Sequence, residues 1–290
     1  MIEQMQNYVL VEGLLSEIAL EKKTYQKDMK DVECIRGNIK VRVVMSENNV
    51  LEIPVQIFTN KLKKDGQVSS IYKSFENFMA TAKSIAAVGE ADADAVRISG
   101  GAVKMNERYT DDGRFISYPQ LSTNFISVIS RSEMHYQTRA DLTAIIYDMF
   151  RVCDKDGTPT DVLQINCINV GYNGYTDIIP VKVTNPSYVS AIEATYTKGD
   201  VVAISSKLDF SSVTEVVYEA VEIGDPIEKR KTINKSDLVL AGIKGTEMTY
   251  DGAEVKELLD KRTARLTASK NKGKAEHTNA VATEKKNLGF

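Results

Sequence analysis

The feature that most constrains the fold of this chain is a short strand-like pattern that occurs twice. Residues 53–57, with the sequence IPVQI, reappear as residues 179–183, with the sequence IPVKV. Further along, VRIS at residues 96–99 is echoed by VAIS at residues 202–205. In each copy, a stretch typical of a helix separates the two segments. A pattern that recurs in the same order predicts two copies of one folding unit.

Three alternating runs of apolar and polar residues predict the first strands of the first copy. They cover residues 8–20, 32–44 and 50–59. Gly13 lies inside the first run, where a glycine is typical of the bulge or bend that closes a small barrel. The lysine-rich residues 21–31, between the first two runs, are expected to form a polar loop.

Alternation also predicts which side chains point outward, because successive residues of a strand face opposite sides of a sheet. In the second run, the apolar residues at positions 39, 41 and 43 are expected to be buried. The outward face should then carry Arg36, Lys40, Arg42, Gln56 and Phe58. Phe58 has an alternative place as a cover for the end of the barrel.

The remainder of the first copy is predicted as a helix followed by a pair of strands. Apolar residues at helical spacing indicate one helix over residues 69–88. The helix carries three aromatic residues that are expected in the core, Tyr72, Phe75 and Phe78. Residues 95–109 and 114–130 are then predicted as strands joined by a turn at residues 111–113, which read DDG.

The second copy follows the same order of elements. Its predicted strands are residues 142–152, 160–170, 174–184, 201–208 and 213–221, with a helix over residues 185–196. Asn173 and Gly174 form a dipeptide that is among the strongest signals of a hairpin turn. Residues 225–249 show no clear pattern, whereas residues 253–268 carry the thin apolar stripe of a polar amphipathic helix.

Three strands, a helix and two further strands are the element order of the OB-fold, a partly open five-stranded barrel that binds oligonucleotides and oligosaccharides. The sequence therefore predicts a mainly β protein with minor α content. It is expected to contain two consecutive OB-fold-like barrels, each with a helix between its third and fourth strands. The predicted domains are residues 1–130, residues 131–222, a C-terminal extension with a helix at 223–268, and a basic disordered tail at 269–290.

Charge is distributed unevenly along the chain. Residues 261–290 contain eight Lys or Arg and two Glu, a net charge of +6, whereas residues 1–260 carry 29 basic and 38 acidic side chains, a net charge of −9. An acidic body is unfavourable for phosphate binding, but the charge that lines a groove can differ in sign from the total. The tail from residue 267 is a candidate arm for DNA or a protein partner, with an inert solubilising end as the alternative.

No catalytic or metal-binding motif is recognisable, so neither enzyme activity nor a cofactor or metal is expected. His135 and His277 have no nucleophile or ligand pattern around them. Cys34 and Cys167 lie in strand-like runs, where a free cysteine usually acts as a small buried apolar residue. No apolar run is long enough for a bilayer and no signal pattern occurs, which predicts a cytoplasmic protein without membrane contact.

Single-stranded nucleic acids are held by bases stacked on aromatic rings and by basic side chains along the phosphates. The candidate binding residues of the first copy are Arg36, Lys40, Arg42, Phe58, Arg108, Tyr109, Arg114, Phe115 and Tyr118. Those of the second copy are Tyr147, Arg151, Tyr172 and Lys182. Because Tyr147 and Phe150 cannot both face outward from one regular strand, one of the two is expected in the core.

Four segments carry a resemblance to a known family: NYVLVEG at residues 7–13, EIPVQIF at 52–58, GYN with IIPV between 171 and 181, and YTKGDVV at 196–202. With these segments, the chain resembles tandem OB-fold single-stranded DNA-binding proteins of the kind found in phages of Gram-positive bacteria. The resemblance covers residues 7–222 and implies sequence-tolerant coating of single strands in DNA replication or recombination. In the bacterial family an acidic tail ending in Pro-Phe recruits partner proteins, whereas residues 284–290 here read EKKNLGF.

Other functions stay open at this point. RNA is an alternative ligand to DNA, and replication or recombination proteins are candidate partners of the C-terminal tail. A structural or assembly protein, for example of a virion, is favoured by the acidic body. An enzyme such as a nuclease with dispersed carboxylates is the third class. If the chain is encoded by a phage, its expected location is the cytoplasm of the bacterial host.

Overall fold

The computed structural model describes residues 3–27, 29–47, 49–110, 112–219 and 227–287, with side chains except at residues 211–234 and 271–287. The strands are β1 (Asn7–Lys27), β2 (Lys30–Ser46), β3 (Asn49–Asn60), β4 (Ala95–Tyr109), β5 (Phe115–Ser122), β6 (Ser127–Ile129), β7 (Gln137–Cys153), β8 (Pro159–Val170), β9 (Thr176–Val183), β10 (Val201–Glu219) and β11 (Ile227–Gly245). The helices are α1 (Ser70–Thr81), α2 (Ile85–Val88), α3 (Pro186–Thr195) and α4 (Gly252–Asn287). Among the described residues, no helix is both long and apolar enough to cross a membrane.

Strands β1 to β5 pair in a closed order, and we call them the first unit. β1 pairs antiparallel with both β2 and β4, β2 pairs with β3, and β4 pairs with β5. A short parallel contact between β3 and β5 closes the cycle. α1 and α2 lie between β3 and β4 in sequence. This is the strand order expected of an OB-like barrel.

Strands β7 to β11, the second unit, pair in the same order. β7 pairs antiparallel with β8 and β10, β8 pairs with β9, and β10 pairs with β11. A parallel contact between β9 and β11 closes this cycle, and α3 lies between β9 and β10. The predicted fold class, mainly β with OB-like barrels and a C-terminal helix, is therefore confirmed.

The repeat seen in the sequence is also a repeat of strand register. Val55 of β3 pairs with Leu121 of β5, and Val181 of β9 pairs with Leu238 of β11. The VRIS and VAIS segments likewise take matching positions on β4 and β10, opposite β1 and β7. Because a slip of one residue would turn every side chain to the other face, equal registers place equivalent residues in the two cores.

Helices α1 and α3 contribute apolar side chains to the core. The buried residues on these helices are Tyr72, Phe75, Phe78, Val189 and Ile192. The three aromatic residues of α1 are therefore core residues, as predicted. The described cysteines are free: Cys34 and Cys167 are buried, as expected of small apolar residues, and Cys153 is exposed.

The prediction of one continuous helix over residues 69–88 is wrong, because the helix ends at Thr81. Ala82 has an extended backbone, with φ −74° and ψ 140°. The Lys83 amide then donates to the Asp94 carboxylate at 2.7 Å, and the Asp94 amide donates to the Lys83 carbonyl at 2.8 Å. These bonds tie the break to the segment before β4. α2 is a separate four-residue turn.

The polar loop predicted over residues 21–31 is mostly strand. β1 continues to Lys27 and β2 begins at Lys30, so that the two strands form a long hairpin. Its outer part has polar side chains with cross-strand charge pairing, such as Arg36 Nε to Glu21 Oε1 at 3.8 Å. A two-stranded ribbon of this kind buries little apolar surface, and the hydrophobic pattern therefore did not reveal it.

The end of the second unit also differs from the prediction. The strands predicted at 201–208 and 213–221 form the single strand β10. The strand that closes the second unit is β11, which lies in the segment without a clear pattern and within the predicted extension at 223–268. Residues 220–226, which include the end of the predicted last strand, lie outside the described residues.

The C-terminal helix is longer than predicted. α4 runs over Gly252–Asn287 and includes most of the tail that was expected to be disordered. Phe290, the terminal residue compared with the bacterial family, lies outside the described residues.

The two units are joined by direct pairing of β1 with β7, in which Asn7 to Glu12 lie opposite Leu142 to Gln137. Glu12 is fully buried at this junction. Its carboxylate accepts from Arg97 Nε at 2.8 Å, from the His135 amide at 2.6 Å and from Gln137 Nε2 at 3.1 Å. Burial opposes ionisation, but these donors outweigh it and lower the pKa of Glu12.

Candidate nucleic-acid interface

A cleft with a volume of about 1060 Å³ lies between the two units. The first unit contributes the outer face of β2 and β3 together with the β4–β5 hairpin. The second unit contributes outer-face residues of β7, β8 and β9 and residues 235–237 of β11, and α4 adds Arg262. Outward-facing positions line the cleft because the inward-facing positions of the same strands fill the cores.

The repeat places matching residue pairs on the walls of this cleft. Pro54 lies opposite Lys40 on β2, and Pro180 lies opposite Asn166 on β8. All four residues line the cleft. The sequence repeat therefore places a proline and its cross-strand partner at equivalent positions on both walls. The partner is a cation, Lys40, in the first unit and an amide, Asn166, in the second.

Five basic side chains line the cleft, and most of them are paired with carboxylates. The five are Lys40, Arg108, Lys182, Lys235 and Arg262. Lys40 Nζ lies 2.7 Å from Glu17 Oε2, and Lys182 Nζ lies 2.8 Å from Asp237 Oδ1. Lys235 pairs with Asp209 and Arg262 pairs with Glu107. Arg108 is exposed and has no ion pair within the described part of the chain.

Three aromatic side chains also line the cleft: Phe115, Tyr118 and Tyr147. Phe115 and Tyr118 are 45% and 37% exposed on β5, so that their rings are available for stacking. The Tyr118 hydroxyl accepts from Asn106 Nδ2 at 3.0 Å, which holds the ring in place. These rings and the cations around them are the groups that single-stranded nucleic acids require.

Tyr147 differs from the other two rings because one side of it packs against an apolar cluster. It is half-buried beside residues such as Ile145 and Val201, and Lys198 Nζ lies 5.1 Å from its ring centroid. Phe150 is 46% exposed. The expectation that one of Tyr147 and Phe150 belongs to the core holds only in part, because the bulge after Ile146 changes the alternation of the strand.

Six predicted binding residues thus meet at the cleft: Lys40, Arg108, Phe115, Tyr118, Tyr147 and Lys182. Seven others do not line it: Arg36, Arg42, Phe58, Tyr109, Arg114, Arg151 and Tyr172. Phe58 is 49% exposed on β3, so it does not cover the barrel end, and its ring lies 6.0 Å from that of Tyr25. Tyr172 is 75% exposed in the turn between β8 and β9, where Asn173 has a φ of 57°.

The predicted cations outside the cleft are bound to nearby carboxylates. Arg42 Nε donates to Glu52 at 2.7 Å, a hydrogen bond that raises the pKa of Arg42. Arg151 donates twice to Glu193, at 2.8 Å each. Arg114 pairs with Asp112 at the hairpin tip and Arg36 pairs with Glu21. Outward orientation was predicted well, but the carboxylate that each arginine meets depends on the tertiary structure.

Helix α4 links the two units beside the cleft. Arg262 pairs with Glu107 of β4, and Arg265 Nη2 donates to the Thr176 carbonyl of β9 at 3.1 Å. The Arg265 guanidinium also lies 3.7 Å from the ring centroid of Tyr175. Five residues further along α4, Lys270 Nζ lies 5.1 Å from the ring centroid of Tyr109. Tyr109, predicted as a stacking residue, therefore already has a cation on its ring.

A buried carboxylate lies under this helix. Asp177 is 5% exposed, with Arg265 Nη2 at 3.8 Å from its Oδ1 atom. Burial raises the pKa of Asp177 to about 6, although the charge of Arg265 acts in the opposite direction. Glu107 adds to the rise because it is a second anion near the same site. Among the described side chains, no group of three or more His, Cys, Asp and Glu could hold a metal ion.

Sequence reasoning missed several residues of the cleft. Lys235 and Asp237 lie on β11, in the segment without a clear pattern. Arg262 lies in the predicted C-terminal helix, for which the sequence indicated no packing surface. Pro54 and Pro180 belong to the repeat itself. Their recurrence at the same register position was a signal in the sequence that pointed to this surface.

A protein-family model described as YorF matches residues 6–274, which is most of the chain. The chain belongs to the YorF family. No curated protein matches this YorF-family chain.

Among solved structures, the chain is similar to the wild-type single-stranded DNA binding protein from Thermus aquaticus. The TM-score is 0.49 and the identity 10%, over 86% of this chain and 97% of that chain. A deletion mutant of the same protein gives a TM-score of 0.48 at 10% identity, over 86% and 98% of the two chains.

Proposed function

We propose that this chain binds single-stranded DNA in the cleft between its two units. The observation that carries the proposal is the convergence of basic and aromatic side chains from both units on one surface. Lys40, Arg108 and Tyr118 come from the first unit, and Tyr147 and Lys182 come from the second. The volume of the cleft, about 1060 Å³, slightly exceeds that of most small-molecule pockets, which span roughly 300–1,000 Å³.

In this proposal, bases stack on Phe115, Tyr118 and Tyr147, while Lys40, Arg108 and Lys182 contact phosphates. Stacking on an aromatic side chain contributes about 1–3 kcal/mol per base and tolerates any base, because every base has a π-face. Arg108 is exposed and has no ion pair within the described residues, so it is the cation most available to a phosphate. Binding should therefore be tolerant of sequence and dependent on salt.

The proposal extends to the biological role that the resemblance of residues 7–222 implies. We infer a non-enzymatic protein that coats single strands during phage DNA replication or recombination, in the cytoplasm of the bacterial host. Tandem OB-fold proteins of phages are the model for this role. The α4 segment and the tail beyond it would contact either further phosphates or replication and recombination proteins, and RNA is the alternative ligand.

The decisive experiment is a comparison of oligo-dT with a duplex of the same length, by fluorescence anisotropy at low salt. Tyr118→Ala should weaken oligo-dT binding by about 5- to 150-fold, which corresponds to the loss of one stacked base. Tyr118→Phe keeps the ring and loses only the hydrogen bond from Asn106, so it should retain most of the affinity. Tyr188→Ala is the matched control, because Tyr188 is a 45% exposed tyrosine on α3 that does not line the cleft. Equal affinity for duplex and single strand would contradict the proposal.

A structural or assembly protein is the second candidate, and the ion pairs favour it. Four of the five cations that line the cleft have a carboxylate partner, and residues 1–260 carry a net charge of −9. A protein whose cations are neutralised internally has less attraction for a polyanion. Failure of the wild type to bind oligo-dT at low salt would leave this candidate in place of the first.

A further inference from the structure

The cleft lysines are held by carboxylates that are fixed in the strands. Glu17 of β1 lies opposite Lys40 of β2 in the strand register, which brings the two charges to 2.7 Å. Asp237 of β11 approaches Lys182 of β9 with both oxygens, each at 2.8 Å from Nζ. The Asp237 and Lys182 side chains are only 19% and 34% exposed. Both carboxylates stay within reach of their lysines because the strand pairing places them next to each other.

A phosphate that enters the cleft must therefore take a position beside a carboxylate. A lysine has three N–H donors, so it is able to contact a phosphate while it keeps one bond to its partner. The phosphate and the carboxylate are then like charges a few ångströms apart. Solvent screens their repulsion least at Lys182 and Asp237, the less exposed of the two pairs. The carboxylate lowers the affinity of its lysine for phosphate, whether the phosphate shares the lysine with the carboxylate or displaces it.

We propose that Glu17 and Asp237 act as intramolecular competitors of nucleic-acid phosphate for Lys40 and Lys182. In the free protein each carboxylate occupies the phosphate-binding position of its lysine. This inference rests on the proposed function, because it identifies the two residues that set the affinity of the same cleft. It differs from that proposal in what it predicts, since a competing carboxylate weakens binding by more than the loss of one net charge accounts for.

The competition also determines how binding depends on salt. Much of the affinity of proteins for nucleic acids comes from ions that are released when a free cation meets a phosphate. A lysine that is already neutralised by a fixed carboxylate adds little to this release. Freeing one lysine should therefore make the plot of log affinity against log salt steeper by roughly 0.7, the value for single strands.

The test uses the full-length variants Asp237→Asn and Glu17→Gln, with Glu76→Gln as the matched control. Glu76 of α1 pairs with Lys22 Nζ at 2.5 Å and does not line the cleft. All three variants lose one negative charge and free one lysine, so the change in net charge is the same. Affinity for a labelled oligo-dT of about 30 nucleotides, which spans two barrels, is measured between about 50 and 200 mM salt.

We expect Asp237→Asn and Glu17→Gln to bind about three- to tenfold more tightly than the wild type at low salt, with steeper salt dependence. Glu76→Gln should stay within about twofold of the wild type. Circular dichroism checks that each variant is folded, and the two competitors lie on different units, so that one variant is informative without the other.

Two results would overturn the inference, and they are distinguishable. If the wild type binds and neither cleft variant binds more tightly than Glu76→Gln, the carboxylates are not competitors, while the proposed function stands. If the wild type and all variants fail to bind at low salt, both the inference and the proposed function are wrong.

Discussion

The first and second units place equivalent residues in their cores but present different side chains to the cleft. In the first unit, Glu17 lies opposite Lys40, and in the second unit the same register position pairs Asp148 with Asn166. The second unit therefore keeps the carboxylate and lacks the cation. Asp148 Oδ1 is buried and has no hydrogen-bond partner among the described residues.

The cation of the second unit appears one step further along the sheet. Lys182 of β9 lies opposite Gln164, at the position where the first unit has Gln56 opposite Asn38. A nucleic-acid strand whose phosphates contact both Lys40 and Lys182 would therefore contact non-equivalent positions of the two units. The two units thus share the register of their strands and differ in where the outer face carries its charges.

The backbones differ at one position of close approach. A Cβ atom added to Gly13 of β1 would lie 2.1 Å from the Arg42 carbonyl oxygen, so that the two strands pass too closely for a side chain. Gly13 lies opposite Val96, and the second unit has Ala144 opposite Val202 at the matching place. At this point the first unit thus leaves no room for a side chain, whereas the second unit accommodates the methyl group of Ala144.

The largest effect is expected from a charge in either core. Ile53 and Ile179 are both fully buried, and Ile179→Asp should destabilise the second unit by more than about 4 kcal/mol, because the carboxylate has no partner there. Hydrogen exchange should show lost protection in β7–β11, and Ile53→Asp should do the same in β2–β5. Thr184→Asp, at an exposed position after β9, is the control. Loss of protection in both units at once would show that the units do not fold separately.

A glycine exchange tests the difference in backbone. Gly13→Ala should lower the free energy of unfolding by about 3 kcal/mol, because the new methyl group meets a backbone carbonyl. Ala144→Gly should cost only about 1 kcal/mol, the usual cost of glycine in a strand. Urea denaturation measures both values. Equal losses would mean that the two strands approach their neighbours equally closely.

The pH dependence of stability should separate the buried carboxylates of the two units. Burial raises the pKa of Asp177 to about 6, above its unfolded value of 3.8, so its contribution to stability grows as the pH falls through 6. The wild type should gain about 1 kcal/mol relative to Asp177→Asn between pH 7.5 and pH 5. Thermal melts at both pH values check this.

Glu12 provides the opposite case for the same experiment. Its pKa is lowered by its hydrogen-bond donors, against the effect of burial, so its contribution to stability is present above the unfolded pKa of 4.5 and is lost only below it. The cost of Glu12→Gln should therefore be the same at pH 7.5 and pH 5. If the stability lost in Glu12→Gln were smaller at pH 5 than at pH 7.5, the lowered pKa of Glu12 would be contradicted.

The smallest effect on stability is expected from removal of residues 267–290, which contain five lysines and two glutamates. The melting temperature should change little, because this segment offers few apolar side chains for burial. If the segment contacts DNA, the truncation should weaken oligo-dT binding much more at low salt than at high salt. A large decrease in melting temperature would show that the segment packs against the units.

The sequence by itself determined which faces of the alternating strands form the cores. Alternation placed Ile39, Val41 and Val43 inside and Lys40 and Arg42 outside, because a strand has a period of two and one buried face. The Ile-Pro-Val repeat also located the equivalent third strands of the two units. It failed where the chain forms strands with little apolar alternation, as in the outer part of the β1–β2 hairpin and in β11.

Only the tertiary structure decided which of the outward-facing groups meet. Arg108 and Lys182 are 74 positions apart in sequence, and they share a cleft because β1 pairs with β7 and α4 links β4 with β9. The same is true of the carboxylates, since Asp237 reaches Lys182 through the parallel contact between β11 and β9. Periodicity describes which face a residue takes on its own strand, whereas a binding surface depends on the distances between strands that are remote in sequence.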